Sequence, residues 1–509
     1  MESTAWSMLP PIITIVLALL TKEVYMSLII GIFSGALLYT GGNLLQSILT
    51  MFEIMADKVG GNVNILVFLV IVGILVAAIT KSGATRAYGE WARKVVSGKK
   101  SALGLTAVLG MVIFIDDYFN CLTVGTVMRP VTDKFKIARA KLAYVIDATA
   151  APICIIAPVS SWAAAVGSSL PEDTTVDGFT LFLQTIPFNL YAWLTMAFMM
   201  YIIISERDFA TMGTAVKASK DKLIIPEEYK ETVNEESTVS GNGKIIDLVL
   251  PLIVLITACI YGMLYTGGIN EGKTIAESFA DCDSSKALVL GSFIAFVFTG
   301  LLYLPRKVIS FNTFCECFGQ GFKAMVPAIF ILCLAWTLSG ICSDKCLNLG
   351  GYVGGMVADA VTNDNSSIMI FLPLIFFLVA LGLAFATGTS WGTFSILIPI
   401  ATAILDATNT AIYPVLVLCI AAILSGAVGG DHVSPISDTT ILASAGSQCH
   451  HLEHVETQAP YVFIVSGCCV VGYIVDGITQ NGWLGLVVSF ACLIIIMFLI
   501  RAKVAPIDN

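Results

Sequence analysis

The stretch Gly430–Asp431–His432–Val433–Ser434–Pro435–Ile436–Ser437–Asp438–Thr439–Thr440 gathers two carboxylates, an imidazole and a run of hydroxyls into eleven residues of an otherwise apolar sequence. Ionisable groups at membrane depth are costly, so by default they mark a functional site. Pro435 breaks a helix here and frees backbone carbonyls, which are ligands for a hard cation. Sodium favours such oxygens, and a carboxylate shielded from water can hold either Na⁺ or a proton. Two ions competing for one carboxylate give obligatory exchange with no further machinery.

Asp116 and Asp117, followed by Asn120, form a second acidic centre in the first half of the chain. With Asp431 and Asp438 they are the expected Na⁺ ligands. Hydroxyls at Thr387, Thr389, Ser390, Thr393, Ser434, Ser437, Thr439 and Thr440 supply further oxygens, and Ser160 and Ser161 are their first-half equivalents. Isolated Ser and Thr in membrane helices usually bond the preceding turn, so it is the clustering that points to a site. The competing reading makes the aspartates helix caps or turn residues. His432, beside Asp431, is a candidate proton relay or a structural hydrogen-bond partner. Asp147 is a fifth acidic position at membrane depth, either a functional carboxylate of the same kind or a partner for a lysine such as Lys141 at the cytoplasmic edge. His450, His451 and His454 read as a solvated loop, with metal binding the lesser alternative. Trp162 and Trp391 either wall a substrate path or pack the core.

These residues sit in 509 residues that are 57% hydrophobic and only 12% charged. A soluble chain would carry about twice that charged fraction. Mean hydropathy is +0.88, and apolar runs of span length recur from end to end, so the fold class is an all-α polytopic membrane protein. The net charge of −9 shows no basic patch for nucleic acid. Most of the 14 cysteines lie in apolar runs and act as small hydrophobes. Cys282, Cys342 and Cys346 fall in expected external loops, where pairing is open. Leu9–Leu20 lacks a cationic leader and reads as a retained span.

Spans are expected near 8–21, 24–40, 63–80, 142–166, 181–204, 246–266, 286–304, 325–341, 411–430, 460–478 and 482–500. Residues 101–128 lie between two Lys/Arg-rich loops, 81–100 and 129–141, which should both be cytoplasmic. One crossing needs about 20 residues and two need about 40. The stretch therefore reads as a re-entrant hairpin turning near Asp116–Asn120. Residues 371–399 form its counterpart, interrupted at Thr387–Thr393 and flanked by cation-poor segments that look external. Opposed hairpins in matching places are the mark of two inverted-topology repeats. Ala157–Pro158–Val159–Ser160–Ser161 echoes Ser434–Pro435–Ile436–Ser437–Asp438. The organisation expected is a first repeat over 1–204, a cytoplasmic linker over 205–244, a second repeat over 245–480, and an extra span with tail over 481–509. Each repeat holds about five spans plus a hairpin. The N-terminus falls outside and the C-terminus in the cytoplasm.

The run Gly430–Thr440, the tip Thr387–Gly388–Thr389–Ser390–Trp391–Gly392–Thr393, Ile115–Asn120 and Pro158–Trp162 together resemble the NhaC family of bacterial secondary transporters. The resemblance covers nearly the whole membrane part. It implies a Na⁺/H⁺ antiporter of the bacterial cytoplasmic membrane, with the paired hairpins, homodimers and elevator-like motion found in the wider ion-transporter superfamily. It leaves open a Na⁺/H⁺-coupled organic-acid exchanger of malate/lactate type, which would carry a small carboxylate. No arginine stands at either hairpin tip to clamp such an anion, which favours plain cation exchange. No cofactor is expected beyond the transported Na⁺ and H⁺. An intramembrane aspartyl protease would need Gly-x-Gly-Asp, but position 428 is valine. No zinc-protease motif occurs, so an enzyme is not expected.

Overall fold

Most of the long helices are apolar on every side, so their faces must be shared between neighbouring helices and lipid. Only helices and closed barrels satisfy every backbone group inside a bilayer. The computed structural model describes all residues except 1–3, 22, 85–86, 89–90, 92–95, 115–116, 159, 171–177, 221–222, 227–241, 350, 353–354, 356–366, 406–412 and 508–509. Asp116 therefore lies outside the described residues. Among those described there are helices and no strand. Among the described residues seven helices are long and apolar enough to cross a membrane, or up to nine if two bent pairs each count as one span.

The chain opens with α1 (Leu9–Thr21), α2 (Val24–Tyr39), α3 (Leu44–Gly61) and α4 (Val63–Lys81). Next come α5 (Lys99–Val112), α6 (Asp117–Lys134), α7 (Arg139–Asp147), α8 (Ala151–Cys154) and α9 (Ser161–Ser168). Then follow α10 (Gly178–Thr185), α11 (Leu190–Ser205) and α12 (Ala210–Ser219). The second half holds α13 (Ile246–Thr266), α14 (Ile275–Ala280), α15 (Ser284–Tyr303) and α16 (Phe311–Cys342). After them come α17 (Ser367–Thr387), α18 (Ser390–Ile404), α19 (Tyr413–Asp431), α20 (Asp438–Ser447), α21 (His451–Thr479) and α22 (Gly482–Lys503).

Three features differ from the sequence expectation. The apolar run 142–166, in which a proline break before Ser161 is expected from the sequence, also breaks after Asp147, where none is. α3 had no predicted counterpart, because Glu53, Asp57 and Lys58 interrupt its hydropathy; it packs Ile54 and Lys58 on Gly340. The expected linker begins folded: Asp208 is buried, and the Thr211 hydroxyl in α12 donates to Glu456 O at 2.7 Å. Glu227, Glu228, Glu235 and Glu236 lie outside the described residues.

Contacts fix the direction of the helices around the polar segments. Lys99 and Leu103 share a cavity lining with Lys136 and Lys141, while Gly110 abuts Thr149. α5 and α7 therefore run parallel, and α6 between them must turn back. In the second half Gly426 meets Phe377 O, Gly430 meets Leu381 O, and Ser434 bonds Phe385 O. α17 and α19 are likewise parallel, with α18 returning. Each half thus contains a hairpin laid beside a broken helix. α21 runs back along both α20 and α19, touching Thr440 from His454, His432 from Gln458 and Ser425 from Tyr473. α7 opposes α20, since Arg139 bonds Gln448 while Asp147 reaches Gln458. α7 and α19 consequently run in opposite senses.

The returning arms are exchanged. α6 lies along α20 of the other half, with Tyr118 at Asp438, Cys121 at Thr439 and Gly125 at Gly446. α18 lies along α9, with Trp391 at Trp162 and Ser395 at Ser169. At the first crossing a Cβ on Gly125 would stand 2.5 Å from the Gly446 carbonyl carbon, so the two backbones touch and no side chain fits. Overpacking such a contact costs about 1–3 kcal/mol. Gly125→Leu and Gly446→Leu should each lower the thermal unfolding midpoint in detergent. Gly104→Leu, where nothing lies within 4 Å, should leave it unchanged.

Candidate functional site

α19 ends at Asp431 and α20 begins at Asp438, and the six residues between them are buried along with both ends. Ser437 is the N-cap of α20, its hydroxyl accepting from Thr440 N at 3.2 Å. The cap is therefore supplied without Asp438, whose carboxylate is left for other partners. Its Oδ1 accepts from Thr439 N at 2.9 Å, and its Oδ2 accepts from the Tyr118 hydroxyl at 2.5 Å. Asp438 N donates to Gly388 O at 3.3 Å. Asp438 thus meets the tips of both hairpins at once.

Asp431 is wholly buried, and its Oδ2 accepts from the Thr439 hydroxyl at 2.7 Å. The Ser437 and Thr439 hydroxyls are 3.2 Å apart, so these oxygens form one continuous group. Asp431 Oδ1 has no hydrogen-bond partner among the described residues. Such an acceptor, buried without a donor, costs about 1–3 kcal/mol or more when charged, a penalty that a bound cation or proton removes.

The second tip is built by capping chemistry. Gly388 breaks α17 from α18 at φ +69, a backbone that side chains rarely adopt. Thr389 caps α18 by accepting from Gly392 N at 3.3 Å. The orphan carbonyl of Phe385 accepts from the Ser434 hydroxyl at 2.8 Å, and Ser390 donates to Ala427 O at 3.2 Å. Thr387 and Thr393 bond carbonyls one turn back, Leu383 and Thr389. A hydroxyl that gives its proton to a carbonyl still has lone pairs for a cation.

At the first tip Asp117 opens α6 and is wholly buried, where the helix N-terminus favours negative charge. The Asn120 amide lies within 2.7 Å of Gly110 O and Ile113 O and 3.0 Å of Thr149 O, sealing the broken end of α5. Its Oδ1, also buried, has no partner among the described residues. Ser160 is more remote: its hydroxyl donates to Cys154 O at 2.7 Å. The Ser161 backbone starts α9, and its side chain lies outside the description. Trp162 and Trp391 meet edge to face at 5.9 Å, with Phe394 against both.

Several polar partners were misplaced or missed in the sequence. Lys141 pairs not with Asp147 but with Asp208. Asp147 is instead wholly buried and accepts from Gln458 at 2.6 Å. His451 and His454 lie not in a solvated loop but in α21, against the cluster, with His451 Nε2 2.8 Å from Pro435 O. The His432 ring meets the Tyr191 hydroxyl at 2.9 Å through Nδ1. Tyr118 carried a weak signal, standing next to Asp117. Gln458, one turn after His454, carried its signal as a polar stripe on an otherwise apolar helix.

The profile of the Na⁺/H⁺ antiporter family matches residues 164–478. A Haemophilus influenzae protein described as uncharacterized is 37% identical over 529 residues, spanning 99% of this chain and 96% of its own. The malate-2H⁺/Na⁺-lactate antiporter of Bacillus subtilis is 31% identical over 214 residues, 37% of this chain and 43% of its own. The solved structure of Neisseria gonorrhoeae MtrF, from a class of antimetabolite efflux pumps, is 13% identical. It aligns over 91% of this chain and 87% of its own with a TM-score of 0.33, too slight a likeness to inform fold or function.

A Cβ at position 388 would stand 2.4 Å from Ile436 O. A left-handed backbone costs a non-glycine residue about 1–2 kcal/mol before that clash is counted. Gly388→Ala should therefore lower the unfolding midpoint in detergent, and cysteine cross-linking between positions 389 and 436 should become less efficient as the tip withdraws.

Proposed function

The chain belongs to the Na⁺/H⁺ antiporter family, and from that premise we propose that it exchanges Na⁺ for H⁺, with Asp431 and Asp438 holding the ions in turn. The observation that carries this reading is the placement of Asp438 between the two hairpin tips, one acting through Tyr118 and the other through Gly388 O. Asp431 is joined to it through Thr439. The donor set is all oxygen, as a hard cation requires. Asp117 and the Asn120 Oδ1 stand at the first tip as further oxygens. The opposed α7 and α19 units support inverted repeats, in which the two halves rock about a shared site. The membrane is the bacterial cytoplasmic one, with the N-terminus outside.

A second reading is exchange of a small carboxylate, because part of the chain resembles a relative named for malate and lactate. Against it, two of the three buried cations among the described residues, Arg139 and Lys141, are engaged by Asp133 and Asp208 at the start of α7, and the third, Arg129, stands about 18 Å of helix beyond Asp117. Eight residues of helix, about 12 Å, separate Arg139 from Asp147.

Proteoliposomes holding a preset pH gradient separate the two readings. Added Na⁺ should dissipate the gradient with no carboxylate present; a requirement for malate or lactate would install the second reading. Asp431→Asn and Asp438→Asn should each weaken Na⁺ binding about 100-fold or more, as expected when one partner of a buried ion pair is removed. Wild-type exchange in both variants would sink the assignment. Competition also fixes the sign of the pH dependence. As pH falls, protons occupy the carboxylates, so half-saturating Na⁺ should rise by about tenfold per pH unit on the acid side and level off on the alkaline side.

A further inference from the structure

Asp147 lies at the end of α7, outside the oxygen cluster that would hold Na⁺, and is wholly buried. It faces Tyr191 from α11, His432 from the break after α19, and His454 and Gln458 from α21, with Asp431 and Asp438 beyond them. None of these neighbours is a lysine or arginine. Asp147 Oδ1 has no hydrogen-bond partner among the described residues, and neither does His432 Nε2, which stands 3.8 Å from it. A buried carboxylate without a counter-ion is satisfied most simply by a proton.

A polar path leads from this carboxylate to the end of the bundle where α20 turns into α21. The Gln458 amide donates to both Asp147 Oδ2 and His432 O, so its Oε1 must accept the proton on His454 Nε2, 3.1 Å away. His454 Nε2 is itself 3.7 Å from Asp147 Oδ2. On the other side of the ring, His454 Nδ1 lies 3.0 Å from the Ser444 hydroxyl, and that hydroxyl lies 3.3 Å from His451 Nδ1. The adjacent His450 is exposed.

We propose that Asp147 is a second, proton-only site, loaded through His451, Ser444 and His454, separate from the carboxylate pair that takes Na⁺. The transfer balances along the path. His451, whose Nε2–H is held by Pro435 O, takes a proton from water at Nδ1. It passes that proton to the Ser444 oxygen as the Ser444 hydroxyl proton turns from Thr440 O to His454 Nδ1. The His454 imidazolium then gives its Nε2 proton to Asp147 Oδ2, and both imidazoles end neutral. Release reverses the order. Gln458 is a positioning residue, since it holds the carboxylate and orients the His454 Nε2–H before transfer. The proposal rests on the exchange reading above and adds to it a proton route that does not pass through the Na⁺ ligands.

The test separates the two. Proteoliposomes are assayed for ²²Na⁺/Na⁺ counterflow, which needs only the Na⁺ site, and for Na⁺-driven H⁺ flux. If wild-type protein shows no counterflow, the exchange reading itself fails. Given counterflow, Asp147→Asn should keep it and lower the H⁺ moved per Na⁺ by about half, the share carried by its own proton, while Ser444→Ala, which leaves every charge in place, should slow that share about tenfold. Asp147→Glu should recover part of the flux with a shifted pH profile. Wild-type H⁺ flux in Asp147→Asn would overturn the proposal. So would loss of counterflow together with flux in folded, monodisperse Asp147→Asn and Ser444→Ala proteins, because Asp147 would then belong to the Na⁺ site or to the scaffold.

Discussion

The hydrogen bond from Tyr118 to Asp438 ties the structure together. Inside a bilayer a broken helix is tolerated only if its freed polar groups find partners in the protein. Here two hairpin tips and two helix breaks expose such groups at one level, and each is answered by a side chain from another element. Asn120 closes the end of α5, Ser434 the end of α17, and Ser437 the start of α20. The Tyr118 bond is charge-assisted when Asp438 is ionised, which makes it one of the stronger contacts in the group. Without it the first tip would lose its polar link to Asp438.

Once those capping duties are assigned, the polar residues divide by role. Ser434 and Asn120 hold backbone together through their donor groups, and Thr387 and Thr393 are turned toward the preceding helical turn. Asp431, Ser437, Thr439 and Asp438 bond chiefly to one another. Within this smaller group Asp431 Oδ1 is the carboxylate oxygen without a hydrogen-bond partner among the described residues. Asp147 stands apart, facing imidazoles and an amide rather than hydroxyls.

How much of this was legible in the sequence depended on range. Hairpin tips were legible because Gly388 and the polar runs at Asp116–Asn120 and Thr387–Thr393 interrupt apolar stretches of informative length. The Asp431–Asp438 break was legible because Pro435 cannot continue a helix. The break after Asp147 was not, since Ala148, Thr149 and Ala150 carry no breaker signal; the nearest proline, Pro152, opens α8. The partners of Lys141 and Asp147 were illegible for another reason. Lys141 finds Asp208 across 67 residues, and Asp147 finds Gln458 across 311, and no local pattern encodes pairs so far apart. His454 looked solvated because Glu453 and Glu456 flank it, yet a helix turns such neighbours to different faces.

The exchange of returning arms has a consequence for how the molecule is made. Tyr118 and Asp438 are separated by 320 residues. Ribosomes add about 5–20 residues per second, so the first hairpin waits roughly 16–64 s after synthesis for the surface it will cover. During that time Asp117 and Tyr118 lack their final neighbours, and the hairpin must be sheltered by the insertion machinery or stay outside the hydrocarbon. Neither half can be finished before the other, and the nascent chain carries an unfinished first half until about the last seventh of its translation.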